Sequence, residues 1–137
     1  MINLNAVTPA AVAGTINVAW QSDASGNVSA AVGLLTGART TYAPVAGVVT
    51  IDASLGNSVI VNVNAVITSM VVNNPTDGQE LTIMYKQDGT GHAVTTPTNF
   101  FGTTAPSTTA NKFSIQKFVY DITTTNWYAV SSGVIGL

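Results

Sequence analysis

The sequence predicts an all-β protein, an antiparallel β-sandwich of the jelly-roll type that follows an N-terminal arm or hairpin. The first supporting observation is composition, because Thr and Val supply 38 of the 137 residues while Leu occurs six times and Glu once. β-Branched residues favour strands, and the scarce residues are the ones that usually fill helices. The second is the alternation of apolar and polar residues over short runs, and the third is the presence of turn-forming residues between those runs.

The N-terminal residues 1–39 differ in character from the rest, since Ala, Gly and Val predominate there. Two candidate strands at 15–20 and 27–31 flank an Asp-Ala-Ser-Gly sequence that favours a turn. We therefore expect an arm or hairpin over residues 1–39 and a β-sandwich domain over residues 40–137.

Three central runs predict the middle of the sheets. The run at 58–64 places three valines on one face and asparagines on the other, which is typical of a half-buried strand. The run at 80–86 alternates in the same way. The run at 65–72 carries apolar residues on both faces, and we expect a strand that is buried on both sides.

Turn residues separate these runs. Asn-Pro-Thr-Asp-Gly at 74–78 offers Pro for a turn start and Gly for a positive φ, and Asp-Gly-Thr-Gly at 88–91 follows the next strand. The runs 113–122 and 127–130 predict a hairpin. Asn126 at the end of their connection is suited to a left-handed turn position.

A long segment at 97–111 is rich in Thr, Pro and Ala and predicts a loop, and loops of this length in compact domains are often functional. Aromatic residues here and elsewhere suggest a platform for a carbohydrate, with packing in the core as the alternative interpretation. The candidates are Trp20, Tyr42, Phe100, Phe101, Trp127 and Tyr128.

The charge content argues against several partners. Charged residues make up 7% of the chain and the formal net charge is -2, so four scattered basic residues provide no basic patch for a nucleic acid or an anionic membrane. The uncharged stretches contain too many polar residues for a transmembrane helix. We expect neither a nucleic-acid partner nor a membrane partner.

The few reactive side chains do not predict an enzyme. There is no cysteine and a single histidine, His92. Asp77 and Glu80 are three residues apart, but a turn and a strand edge explain them better than a catalytic acid pair does. A metal beside Asp88 and His92 would need further ligands that the sequence does not nominate. We therefore predict no catalytic residue, no metal site and no cofactor.

Five short motifs follow one another in a particular order and spacing. They are Ile-Asp-Ala-Ser-Leu-Gly-Asn at 51–57, Asn-Pro-Thr-Asp-Gly-Gln at 74–79, Gln-Asp-Gly-Thr-Gly at 87–91, Phe-Val-Tyr-Asp at 118–121 and Trp-Tyr-Ala-Val at 127–130. In this order they resemble a β-sandwich module of structural proteins of tailed bacteriophages, which include tail appendages and capsid-surface proteins. The resemblance implies a component of the virion.

A surface this poor in charge suits burial in an assembly better than a lone monomer. We therefore expect a homotrimer that binds the major capsid protein or another virion protein. The short chain favours a capsid decoration or cement protein that bridges shell subunits at the virion surface, after assembly in the cytoplasm of the host bacterium. Ile16, Val18 and Trp20 of the arm are the hypothetical docking residues for the shell or a neighbouring protomer.

The alternative function is a receptor-binding module of a tail fibre or tail appendage. In this interpretation Phe100 and Phe101, within the Thr-rich loop, contact a glycan on the host surface. β-Sandwiches often carry such binding sites on their loops.

Overall fold

A computed structural model of the protein describes residues 19–22, 28–31 and 39–137. The chain divides into two compact units, Met1–Leu35 and Thr36–Leu137.

In the first unit, β1 (Ala19–Ser22) and β2 (Val28–Ala31) pair in antiparallel fashion in the region where the sequence predicts a hairpin. Trp20 lies on β1, opposite Ala30. Of the predicted docking residues, Ile16 and Val18 lie outside the described residues. The docking hypothesis therefore stays a prediction.

The second unit is built from strands and one 3₁₀ turn. These are β3 (Thr40–Tyr42), β4 (Val48–Asp52), η1 (Ala53–Leu55), β5 (Ser58–Val63), β6 (Ser69–Asn73), β7 (Glu80–Gln87), β8 (Phe100–Phe101), β9 (Phe113–Asp121), β10 (Asn126–Ala129) and β11 (Val134–Ile135). The described residues contain no α-helix, and the prediction of an all-β protein is confirmed. None of their helical segments is long and apolar enough to cross a membrane.

The strands of the second unit form two sheets, a large one with mixed strand directions and a small parallel one. The large sheet has the order β3-β5-β7-β9-β10-β8, with β11 paired to β9, and the small sheet joins β4 to β6. β3, β5 and β7 are parallel to one another, as are β4 and β6, whereas β9 is antiparallel to β7 and to β10. The prediction of antiparallel strands is therefore wrong for the pairs among β3 to β7 and for β8 with β10, holds for the pairs that β9 makes, and the jelly-roll detail is not confirmed.

The parallel pairing arises because successive strands alternate between the two sheets. The chain passes from β3 to β4, β5, β6 and β7, so each strand pairs with the strand two places along. Thr40 pairs with Val59, and Val59 with Ile83, so one winding takes 19 to 24 residues. Ile67 and Val94 form a further parallel bridge after β7. The chain thus winds like a solenoid, and its strands are connected by corners that cross from one sheet to the other. In a sandwich built from hairpins, tight turns would connect neighbouring strands of the same sheet.

The core lies between the two sheets. Val49, Ile51 and Met70 of the small sheet are buried in one cluster with the inward residues of the large sheet. The large sheet contributes Val59, Val61, Val63, Leu81, Ile83, Tyr85, Phe100, Phe118 and Trp127. The alternation predicted for 58–64 and 80–86 is confirmed, because every second side chain of β5 and β7 is buried.

The run predicted as a strand buried on both sides has a different structure. β6 begins only at Ser69, and the preceding residues form a corner in which Ile67 is fully buried while Val66 is exposed. Within β6, Met70 faces the core and Val71 is 44% exposed. The small sheet therefore buries only one face. Because its other face also carries apolar residues, the sequence pattern wrongly indicated burial on both sides.

The predicted hairpin of β9 and β10 is confirmed, with Trp127 opposite Tyr120. The left-handed residue of its turn is Thr125, with φ of 57°, while Asn126 already belongs to β10. Gly78 has the predicted positive φ, at 69°. The segment predicted as an unbroken loop contains β8, which pairs in parallel with β10.

Three buried polar residues, Gln87, Ser114 and Gln116, attach the segments before and after β8 to the large sheet. The Gln116 amide nitrogen donates to the carbonyl oxygens of Gly102 (3.1 Å) and Ser131 (3.2 Å), and its amide oxygen accepts from the Thr104 N–H at 2.9 Å. Buried polar side chains need hydrogen-bond partners. Here the Gln116 side chain finds them in the backbone groups of an irregular segment, which would otherwise lack partners themselves. The residues after β8 are thereby fixed against β9.

Candidate functional site

The aromatic candidates from the sequence analysis that lie within residues 39–137 separate into buried and exposed groups. Phe100 is 6% exposed and Trp127 is 1% exposed; their rings stack with centroids 5.7 Å apart. Tyr42 is half-buried and its hydroxyl accepts from the Asp52 N–H at 3.1 Å. Phe100 therefore belongs to the core, and it is not the exposed receptor contact that the glycan-binding alternative requires.

Among the aromatic side chains of residues 39–137, two are exposed and stack against each other; we call them the aromatic pair, Phe101 and Tyr128. They are 47% and 37% exposed, and their ring centroids lie 5.6 Å apart with 23° between the planes. The parallel register of β8 and β10 sets Phe100 opposite Trp127 and Phe101 opposite Tyr128. Since side chains alternate along a strand, one stacked pair enters the core and the other faces outward.

A polar group flanks the aromatic pair. The Thr124 hydroxyl donates to the Asp121 carboxylate at 2.8 Å and lies 3.2 Å from the Tyr128 hydroxyl. Because the single Thr124 proton is already donated, Tyr128 must be the donor to Thr124. Hydrogen bonds from the Thr124 hydroxyl and the Thr123 N–H lower the pKa of Asp121 below its usual value. The Tyr128 ring is thus oriented by its stacking on Phe101 and by the hydrogen bond of its hydroxyl to Thr124.

The backbone beside Phe101 approaches β10 closely. Gly102 has a φ of 69°, and a β-carbon there would lie 3.3 Å from the Ala129 β-carbon. Gln116 holds the Gly102 carbonyl from the other side. The position of Phe101 is therefore determined by β10 and by β9 together, so the exposed rings form a preorganised surface.

The carboxylates considered for catalysis have structural partners. The Asp77 carboxylate accepts from the Ile122 N–H at 3.0 Å, and Glu80 pairs with the Lys117 ammonium at 2.8 Å. These contacts agree with the turn and strand-edge roles that the sequence favours.

Asp88 and His92 form a local contact, with 3.3 Å between the Asp88 carboxylate and the His92 Nε2 atom. The Asp88 carboxylate mainly accepts from the backbone N–H groups of Thr90 and Gly91, and these bonds lower its pKa. Within residues 39–137 and the described parts of β1 and β2, no three His, Cys, Asp or Glu side chains cluster as metal ligands.

Two motifs of the phage resemblance, at 51–57 and 74–79, meet at corners between the sheets, while those at 118–121 and 127–130 lie on β9 and β10. Asp52 caps η1 and accepts from the Ser54 hydroxyl (2.7 Å), the Ser54 N–H (3.0 Å) and the Asn74 side chain (3.1 Å), which lowers its pKa. Gln79 donates to the Ala53 carbonyl oxygen at 2.7 Å. These two motifs therefore stabilise the winding, whereas the motif at 127–130 contributes Tyr128 to the exposed aromatic pair.

Both members of the aromatic pair are among the candidates from the sequence analysis, but the sequence did not predict that their rings stack. The sequence feature that could have indicated this pairing is a pair of aromatic dipeptides, at 100–101 and at 127–128. In a strand, each dipeptide places one aromatic residue on either face. Their pairing depends on the register of β8 with β10, and β8 itself was not predicted.

Fold and site together define an all-β structural module that presents a rigid, exposed aromatic surface. The model of the family described as "Putative phage tail fibre C-terminal domain" matches residues 38–125, well over half of the chain. The chain belongs to this family, and it is a module of a phage virion structural protein. The match includes Phe101 and ends before Tyr128. No significant match is found among curated proteins or among solved structures.

Proposed function

We propose that the protein is a receptor-binding module of a phage tail fibre, which attaches the particle to a glycan on the host surface. The observation that carries the proposal is the aromatic pair, because Phe101 and Tyr128 are stacked and exposed beside a polar turn. The family membership supports the tail-fibre location. It favours the tail-fibre alternative over the capsid decoration function that the sequence first suggested.

Aromatic rings suit this task for a physical reason. They provide a large contact area and lose little conformational entropy on binding, because they rotate about only two bonds. The apolar C–H face of a sugar can pack on such rings while hydroxyl groups reach Thr124 and Asp121 at the margin. In this proposal attachment is non-covalent and the module has no enzymatic role.

Substitution of the aromatic pair tests the proposal. We expect Phe101→Ala and Tyr128→Ala each to weaken binding to host cells and to glycan arrays by about tenfold or more, as loss of a binding hot spot does. Leu55→Ala is a matched control, because Leu55 is 57% exposed on η1 and outside the pair. Circular dichroism and thermal denaturation verify that the variants fold.

Two outcomes would contradict the proposal. Undiminished cell binding by folded Phe101→Ala and Tyr128→Ala variants would exclude the aromatic pair as the contact. Specific binding to capsids that lack their decoration protein, without binding to host cells, would instead restore the capsid function.

A further inference from the structure

A second surface feature, separate from the aromatic pair, is a cleft of about 270 Å³ between the start of β6 and the segment before β8. It is lined by residues 68–70 on one side and 95–99 on the other, and we call it the threonine cleft. Neither Phe101 nor Tyr128 lines it. Its volume is just under the roughly 300 Å³ at which sites for drug-sized ligands begin, which limits it to a small ligand or one unit of a larger one.

The lining of the threonine cleft is polar but uncharged. The hydroxyls of Ser69, Thr95, Thr96 and Thr98 and the carboxamide of Asn99 make no hydrogen bond to another residue in the described part of the chain. Each hydroxyl can donate one hydrogen bond and accept two, and the carboxamide can do both. The cleft therefore offers several unused donors and acceptors of neutral character, alongside the apolar surface of the half-buried Pro97.

Backbone hydrogen bonds hold both walls of the threonine cleft. The Ile67 N–H donates to the Ala93 carbonyl oxygen at 3.0 Å, and the Thr95 N–H donates to the Ile67 carbonyl oxygen at 2.8 Å. At the other end, the Trp127 N–H donates to the Asn99 carbonyl oxygen at 2.8 Å. The cleft is thus formed before a ligand arrives, and a preformed site loses less conformational entropy on binding.

We propose that the threonine cleft binds one neutral pyranose ring. The inference rests on the proposed glycan attachment and deepens it, because it adds a second subsite of defined chemistry. A pyranose combines an apolar face, which suits the half-buried Pro97 ring, with ring hydroxyls that match the hydroxyl and carboxamide groups. A charged sugar fits less well, because no lining residue carries a compensating charge for an ion taken out of water.

Titration of the isotope-labelled full chain with simple sugars, followed by NMR, tests the inference. The probes are methyl glucoside, methyl galactoside, methyl mannoside and N-acetylglucosamine, with glucuronate as the charged comparison. We expect at least one neutral sugar to shift the amide signals of residues 67–70 and 95–99, with a Kd on the order of 1 mM, and glucuronate to bind more weakly. Absence of shifts at these residues with all four neutral sugars would overturn the inference, as would preferential binding of glucuronate.

Two kinds of variant then separate the cleft from the rest of the surface. Thr96→Val with Thr98→Val removes two hydroxyls at constant shape and should weaken sugar binding about tenfold, and Ser69→Trp should fill the cleft. Thr108→Val is the matched control, because Thr108 is exposed and outside the cleft. Equal affinity of the double variant and the control would overturn the inference.

The same variants distinguish this inference from the proposed function. If Phe101→Ala loses host-cell binding while the folded cleft variants keep both cell binding and sugar affinity, the cleft inference fails and the proposed function stands. If sugar shifts persist in the cleft while the aromatic pair proves unimportant, the cleft survives and the proposed contact fails.

Discussion

Gly91 lies where the turn after β7 meets the segment before β9. Its φ is 80°, and a β-carbon there would collide with the Thr108 carbonyl oxygen and lie 3.0 Å from the Ala110 nitrogen. Backbone atoms cannot rotate away as a flexible side chain can. This glycine therefore has two requirements at once, a left-handed conformation and an empty space beside it.

Gly91→Ala should destabilise the protein by about 3 kcal/mol, the sum of a left-handed alanine and an overpacked backbone contact. Gly78→Ala is the matched control. It has a similar φ of 69° but open space around its β-carbon, so its cost should be only about 1 kcal/mol. Urea denaturation of both variants measures the difference, and equal losses would contradict the steric argument.

The segment around β8 shows how a short strand is held in place by side chains from its neighbours. β8 has only two residues and would not persist alone. Gln116 on β9 binds the backbone after β8, at Gly102 and Thr104, and the backbone after β10, at Ser131. A polar residue at an inward position of β9 is thus explained by the loop it supports.

Gln116→Met should cost about 3 kcal/mol, because it leaves three backbone groups without their partner while the side-chain volume stays similar. Lys117→Met is the control one residue along, where the ammonium pairs with Glu80 at a largely exposed position; its loss should cost less than about 1 kcal/mol. Hydrogen exchange at Phe101 should accelerate in the first variant alone. Equal exchange in both variants would refute this role for Gln116.

The strands of this protein could be predicted from the sequence, but their directions could not. Alternation in 58–64 and 80–86 indicates which side chains are buried, and it is identical for parallel and antiparallel neighbours. The corner at 74–78 contains the same residue types as a hairpin turn. The local sequence therefore did not indicate that the chain passes from one sheet to the other there. For the site, the sequence nominated Phe101 and Tyr128 as aromatic candidates, while their pairing depended on a register between distant segments.

At the scale of the whole molecule, three carboxylates among the described residues have lowered pKa values because hydroxyl, amide or backbone N–H groups donate to them. They are Asp52, Asp88 and Asp121. A pKa that is lower in the folded state stabilises the fold at pH values above the unfolded value of about 3.9, and this contribution is lost as the pH falls through the folded value.

We therefore expect the urea midpoint to stay nearly constant from about pH 7 to about pH 5 and to fall below about pH 4. Replacement of all three aspartates by asparagine should flatten this acid decline, because the three positions then no longer bind protons on unfolding. An unchanged decline in the triple variant would assign acid sensitivity to other groups.

The outward face of the large sheet bears on assembly. Ile60, Met84 and Ile115 are aligned in one row across three strands and are half-buried. With so few charges in the chain, we propose that this row packs between copies in a homotrimer. Light scattering should give three times the 14.0 kDa chain mass, and Met84→Lys should reduce it while the control Thr50→Lys, at an exposed position of the small sheet, does not. A monomer across concentrations would contradict the homotrimer.

The winding of β3 to β7 also determines the order in which the protein can fold. Each parallel pair closes a loop of 19 to 24 residues, whereas β9 and β10 join across the short turn between Asp121 and Asn126. Short loops close at a lower entropic cost, and distant pairings form slowly. We therefore expect the β9–β10 hairpin to form before the parallel pairs, and β9 can then provide the edge to which β7 adds.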